Sequence, residues 1–297
     1  MENARAAEVV IVALRRDIGR ILAHDPLVRQ RAEFDDGDTA VHQMRVGCRR
    51  LRSNLRNFEL LLDTEWSGAL DVEVSWVADA LGGVRDIEVL RARLPRTVAA
   101  DPLAPLRAAD VDLMDGLLVS REAVAWDVLD AALASERYVA LLDLMVKSAA
   151  EPPLSATAGT SGAKALLRMT AKPWRRLKRA VADLDPEADN QVWHRARIRA
   201  KHARYAVEAV AEAFGRPAVR LGRALAKVQD NLGEHQDAVV AVEAWLSLAA
   251  TDPARLGVTA GRLVERERAS VRAARAALPG LWRATSRNKR IRWLGRR

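Results

Sequence analysis

The sequence predicts an all-α protein made of two four-helix bundles related by an approximate twofold axis. Three observations carry that expectation. Ala, Leu, Arg and Glu dominate the 297 residues, while strand formers and tight-turn pairs such as Asn-Gly are scarce. Hydrophobic residues make up 49% of the chain, ample for a buried core, and recur at helical spacing through most of it. The chain also carries one pattern twice.

The expected elements follow from the breaks between them. The first helical stretch holds the apolar run VVIVAL at residues 9 to 14, which is too short for a signal-peptide core and is bounded by Arg5, Arg15 and Arg16. HDP at 24 to 26 is expected to end this helix, and FDDGD at 34 to 38 precedes the next, with Asp38 as its N-cap. LPRTVAADPLAP at 94 to 105 is expected to break the long helical region that follows. The Pro-, Gly-, Ser- and Thr-rich AEPPLSATAGTSG at 150 to 162 is the division point. Residues 1–150 form the first half, 151–162 the linker, and 163–297 the second half with a basic C-terminal tail. LDPEADN at 184 to 190 supplies Asn190 as the expected cap of another helix, and TDP at 251 to 253 separates the last long ones. About four helices are expected in each half.

The repeat supports that division. VHQMRVGCRRLRSNL at 41 to 55 aligns without gaps to WHRARIRAKHARYAV at 193 to 207, and VADALGGVRD at 77 to 86 aligns to VQDNLGEHQD at 228 to 237. The two matches lie 152 and 151 residues apart, as a duplicated unit requires.

Net charge is +9, but its distribution is more informative. Residues 41–56, 164–179, 194–204 and 283–297 contain 24 Lys or Arg and no acid, leaving 24 basic against 39 acidic residues elsewhere. Such segregation points to an anionic partner held in one place. At 100° per residue, His42, Arg45, Arg49, Arg52 and Arg56 fall within an arc of about 80°, a ridge roughly 21 Å long. Met44, Cys48, Leu51, Leu55, Phe58 and Leu62 form the neighbouring apolar face. His194, Arg197, Lys201 and Arg204 repeat the ridge, with Glu208 in place of the last arginine. A third stripe runs through Lys164, Arg168, Lys172, Arg175 and Arg179 if the helix survives Pro173, and Arg16 with Arg20 forms a shorter counterpart.

A solvated helix face normally relieves like charge with Glu at i±4, and these stripes lack it. Guanidinium forks spaced along one ridge suit an extended phosphate chain better than one small phosphoester. Neutral imidazole supplies one donor, and dense phosphate would favour its protonation. His42 and His194 also admit two other readings: buried structural histidines, or metal ligands joined in space by His202, His235, Asp86 and Asp237. The cations around them oppose a divalent metal, so no metal site and no cofactor are expected. Asp86 and Asp237 admit roles as general bases or as steering partners of stripe arginines. No GxSxG, Walker loop or activated cysteine points to catalysis. The one cysteine, Cys48, excludes an intramolecular disulfide and fits a reducing, cytoplasmic setting. No segment reaches the roughly 18 apolar residues of a membrane span.

At VHQMRVGCRRLRSNLR, LGGVRD, WHRARIRAKHARYAVE and VQDNLGEHQDA, and at ALASERYVALLDLM (132 to 145), which looks like the fourth helix of the family, the sequence resembles the CHAD (conserved histidine α-helical domain) family over nearly its whole length. The resemblance implies two four-helix bundles around a basic central cavity that binds inorganic polyphosphate without catalysis, in some members at polyphosphate granules. The family's basic positions fall on His42, Arg45, Arg49, Arg50, Arg52, Arg56 and Arg85, and on His194, Arg197, Lys201 and Arg204, preceded by Trp174, Arg175, Arg176 and Leu177. His202, Ala203 and Gln236 depart from the family pattern, so the second half is expected to bind less strongly. A nucleic-acid binder is the main alternative, although aromatics are only 4% and no RNP-like cluster is present. A metal-dependent phosphohydrolase would need acidic ligands that the stripes lack. Trp76, Trp126 and Trp245 lie among apolar residues and are expected to pack between helices.

Overall fold

A computed structural model describes residues 6–35, 37–159 and 162–295. Among them the chain is helical, with two isolated β-bridges, Glu33 to Thr39 and Leu62 to Leu154, and no strand. The helices are α1 (Ala6–Arg29), α2 (Ala40–Asn57), α3 (Thr64–Ala99), α4 (Ala108–Ala134), α5 (Glu136–Ala150), α6 (Ala163–Ala182), α7 (Asn190–Ala209), the short α8 (Ala211–Phe214), α9 (Arg216–Ala249), α10 (Pro253–Thr285) and the short α11 (Asn288–Ile291). Residues 160 and 161 of the expected linker, and Arg296 and Arg297 of the basic tail, lie outside the described residues.

Two expected breaks are helical instead. α1 runs through Pro26 because its last turn is tied from outside: Tyr138 Oη donates to Asp25 Oδ1 (2.6 Å) and Arg29 Nη2 donates to the Leu133 carbonyl (3.0 Å). α3 runs through Pro95 because Arg93 and Thr97, on either side, both donate to Glu267 of α10. Ser135 does the reverse, dividing the stretch expected to be one helix at 132 to 145; it caps α5 by accepting from the Tyr138 N–H. α6 is continuous through Pro173. Caps fall one residue from expectation. Thr39 Oγ1, not Asp38, accepts from the His42 N–H (3.1 Å), and Asp189, not Asn190, accepts from the Gln191 N–H (2.6 Å).

The packing order repeats along the chain. α1 packs on α2, α2 on α3 and α3 on α4; α6 packs on α7, α7 on α9 and α9 on α10; and α2 meets α7. Both apolar clusters draw on residues from either side of the linker: one joins Leu14, Leu51 and Leu81 to Leu177, Leu225 and Leu232, the other Leu94 and Met114 to Trp245 and Leu263. The apolar face of α2 is buried as expected, from Met44 and Cys48 to Leu55 and Phe58, and its desolvation pushes the Cys48 thiol up to about 12. Trp245 is fully buried, while Trp126 and Trp76 are covered by the guanidiniums of Arg31 and Arg137 at 4.6 and 4.3 Å from the ring centres. No described helix is long and apolar enough to cross a membrane.

Candidate anion-binding site

The contact of α2 with α7 brings the two ridges face to face. Arg45 and Arg49 of α2 and Arg197 and Lys201 of α7 lie close enough that their charges oppose one another. Burial, more than this repulsion, pushes the Lys201 ammonium down from 10.5 to about 7, and presses Arg49 and Arg197 downward in the same way. Among the described residues Arg49 and Lys201 make no ion pair, and the Nε atoms of Arg49 and Arg197 are buried without a hydrogen-bond partner.

The aligned aspartates act as steering partners. Asp86 Oδ1 lies 3.4 Å from Arg45 Nη1, and Asp237 Oδ1 lies 4.0 Å from Arg197 Nη2. Gly82 of the LGGVRD motif makes room for the first pair, since a Cβ there would stand 3.1 Å from Arg45 Nη2; nothing comes within 4 Å at Gly233.

At the head of α2, burial and then the Arg85 guanidinium hold His42 down at about 4, so it is neutral near pH 7 in the free protein. Arg85 itself pairs with Glu88 (2.9 Å), which accepts from Thr39 Oγ1. His194 Nδ1 instead donates to Gln236 Oε1 (2.7 Å), so the departure from the family pattern at Gln236 has a direct structural consequence.

The stripes do not lack counter-charge: one carboxylate reaches them from another helix, and one stands at i+4 within α7 itself. Asp71 of α3 sits between Arg52 (3.0 Å) and Arg56 (2.9 Å). Glu208 joins Arg50 (2.7 Å) to Arg204 (2.7 Å), with Arg50 also lying over the Tyr205 ring. A carboxylate from another helix has no fixed sequence spacing, so Asp71 and the reach of Glu208 to Arg50 were not legible in the stripes, whereas Glu208 stands at the ordinary i+4 position from Arg204.

Three side clefts gather much of what remains. Arg56, Arg168, Lys172 and Arg175 line a cleft of about 490 Å³ together with Arg176, Arg199 and His202, three positions outside the expected ridges. Lys164 joins Arg168 and Arg175 in an adjoining cleft, and Lys172 lies 3.6 Å from Glu59. On another side Arg16, Arg50 and Arg204 meet Arg223 of α9 in a cleft of about 330 Å³. Arg20 donates to Gln43 Oε1 (2.7 Å), and Arg179 lies exposed near the end of α6. Among the described residues no group of three or more His, Cys, Asp or Glu is placed to hold a metal ion.

Comparison with known proteins agrees with this architecture. A family model described as CHAD domain matches residues 12–246. An uncharacterized protein of Mycobacterium tuberculosis (strain H37Rv), Rv2226, is 31% identical over 244 residues, covering 80% of this chain and 45% of that protein. A second M. tuberculosis protein, MT2285 of strain CDC 1551, is 30% identical over the same length, so the chain spans less than half of the curated relatives it matches. Among solved structures, PptA from Streptomyces chartreusis superposes with a TM-score of 0.76 at 25% identity, covering 94% of this chain and all of that one. A CHAD domain from the plant Ricinus communis gives 0.68 at 26% identity, covering 93% of each chain.

Proposed function

The chain belongs to the CHAD domain family, and on that premise we propose that it binds inorganic polyphosphate along the facing ridges of α2 and α7, without hydrolysing it. One observation carries the reading: Arg49, Arg197 and Lys201 are drawn together from two distant parts of the chain into a desolvated cluster with too little internal counter-charge. Desolvating like charges is costly, and a bound phosphate chain offsets that cost by supplying anionic oxygens to the forks. The neutral His42 would gain a proton beside phosphate, adding both charge and a second donor. The ridges have few exposed aromatics to stack bases, which favours a bare phosphate chain over nucleic acid. The repeated packing order supports reading the two halves as approximate twofold mates around a central basic cavity, and the family resemblance suggests a place in the cytoplasm and at polyphosphate granules.

The test is a titration of wild type and the Arg49→Ala, Arg197→Ala, Lys201→Ala triple variant with polyphosphate at several salt concentrations. The variant should bind far more weakly and with a flatter salt dependence, by roughly 0.7 in the log–log slope for each lost phosphate contact. Helicity should be retained, because the substitutions remove mutually repelling charges. Equal or tighter binding of a single-stranded or duplex oligonucleotide of matched charge would move the assignment to nucleic acid. Phosphate release from polyphosphate with a divalent metal present would make the protein an enzyme.

A further inference from the structure

A second basic surface lies away from the α2 and α7 ridges. Arg220, Arg223 and Lys227 occupy one face of α9 at i, i+3 and i+7, and Lys289, Arg290 and Arg292 face them from the C-terminal segment. The groove between them encloses about 780 Å³, more than any of the three clefts of the candidate site, over a floor that includes Ala224, Leu281 and Ala284. No carboxylate lines it. Among the described residues none of the six cations makes an ion pair, unlike Arg50, Arg52, Arg56 and Arg204 in the main site.

The tail segment is not a loose basic arm. Trp293 is buried against Phe214, with ring centres 5.4 Å apart, and Ile291 and Leu294 pack on the main apolar cluster. The helix before it is anchored by Trp282 stacked on Trp174 at 5.3 Å. These contacts hold Lys289, Arg290 and Arg292 opposite α9, so the groove exists before any ligand arrives. Arg223 also lines the cleft that contains Arg16, Arg50 and Arg204, which makes the basic surface continuous from the ridges to the groove.

We infer that this groove is a second binding site for inorganic polyphosphate, engaged by a chain that also occupies the α2 and α7 ridges. The inference rests on the polyphosphate reading of those ridges. A preformed, acid-free groove lets a chain bind without displacing any internal carboxylate. Tethering one polymer to both sites converts the second contact into an intramolecular one. Short chains would fill the sites separately, and long chains would bridge them.

The experiment compares tripolyphosphate with long-chain polyphosphate on wild type, on the ridge variant (Arg49→Ala, Arg197→Ala, Lys201→Ala), and on a groove variant. The groove variant is Arg220→Ala, Lys227→Ala, Lys289→Ala and Arg292→Ala; it spares Arg223 because that residue is shared. Wild type should take up two tripolyphosphate ions per chain and each variant one. The groove variant should lose about tenfold or more in long-chain affinity, with a flatter salt slope and unchanged helicity. Wild-type stoichiometry and long-chain affinity in the groove variant would overturn this inference alone. Wild-type behaviour in the ridge variant would instead overturn the polyphosphate reading of α2 and α7. Loss of oligonucleotide binding in the groove variant, with polyphosphate binding intact, would assign the groove to nucleic acid and also overturn the inference.

Discussion

Lys201 is a cation kept at the edge of losing its proton. Its value near 7, against an ordinary 10.5, means that between those limits the unfolded chain holds a proton that the folded chain does not. Stability from this group therefore rises with pH through the window of 7 to 10.5, and the penalty is fully present below it. Bound phosphate favours the charged ammonium, so ligand binding at pH 8 should take up a proton. Affinity should then fall with rising pH by at most about tenfold per unit. Calorimetric titration in two buffers of different ionisation enthalpy measures that uptake. Lys201→Arg, which stays charged, should reduce the uptake to whatever His42 contributes and flatten the pH profile; uptake unchanged in this variant would show that the ammonium does not meet the ligand. His42 has the same sign lower down, its value near 4 against 6.5 making free-protein stability fall as the solution is acidified through that range.

Two glycines set how closely helices approach, and they do so for different ends. At Gly47 a Cβ would stand 2.8 Å from Ile21 Cγ1 and 3.3 Å from the Ile21 backbone nitrogen, so α1 and α2 pack through the missing side chain. Gly47→Ala should destabilise the fold by about 1–3 kcal/mol, because backbone cannot give way as a side-chain tip can. At Gly82 the Cβ would meet only the end of Arg45, a flexible side chain. Gly82→Ala should leave stability equal or raised by up to about 1 kcal/mol through helix propensity, yet weaken polyphosphate binding by displacing Arg45. Gly233→Ala, with nothing within 4 Å, should leave binding unchanged. Urea unfolding beside ligand titration separates the three cases. A Gly82→Ala protein with full affinity would mean that Arg45 need not hold its place against α3.

Across the whole molecule, a buried polar link joins the two halves. Glu267 of α10 is 1% exposed and accepts from Arg93 (2.8 Å) and Thr97 (2.6 Å) of α3, while Arg93 also reaches Glu234 of α9 (2.6 Å). Burial works against the Arg93 charge, but hydrogen bonds to Glu234 and Glu267 outweigh it and hold the guanidinium more firmly protonated than usual. Glu267→Ala leaves part of that buried charge unpaired and should cost about 3 kcal/mol. Since both apolar clusters span the linker, thermal unfolding of wild type and variant should each show one transition rather than two. Separate transitions for the halves would mean that Glu267 and the shared core do not couple them.

The all-helical class, the repeat and the buried face of α2 were legible in the sequence, which also offered Asp86 and Asp237 as partners of stripe arginines but not which arginine each meets. Helical periodicity and motif spacing are local, and a duplicated motif repeats its internal contacts wherever it folds. Tertiary structure alone decided that Pro26 and Pro95 lie inside helices, because Asp25, Arg29 and Glu267 tie the turns around them to other elements. It likewise decided which cations are already neutralised. Asp71 answers Arg52 and Arg56, and Glu208 answers Arg50, from neighbouring helices, while among the described residues Arg49, Lys201 and the cations of the α9 groove make no ion pair. The i, i+3, i+7 spacing of Arg220, Arg223 and Lys227 was present in the chain, but what faced them was not. Charge pairing in a helical protein is settled by which helix lies opposite, and that is a property of the packed molecule.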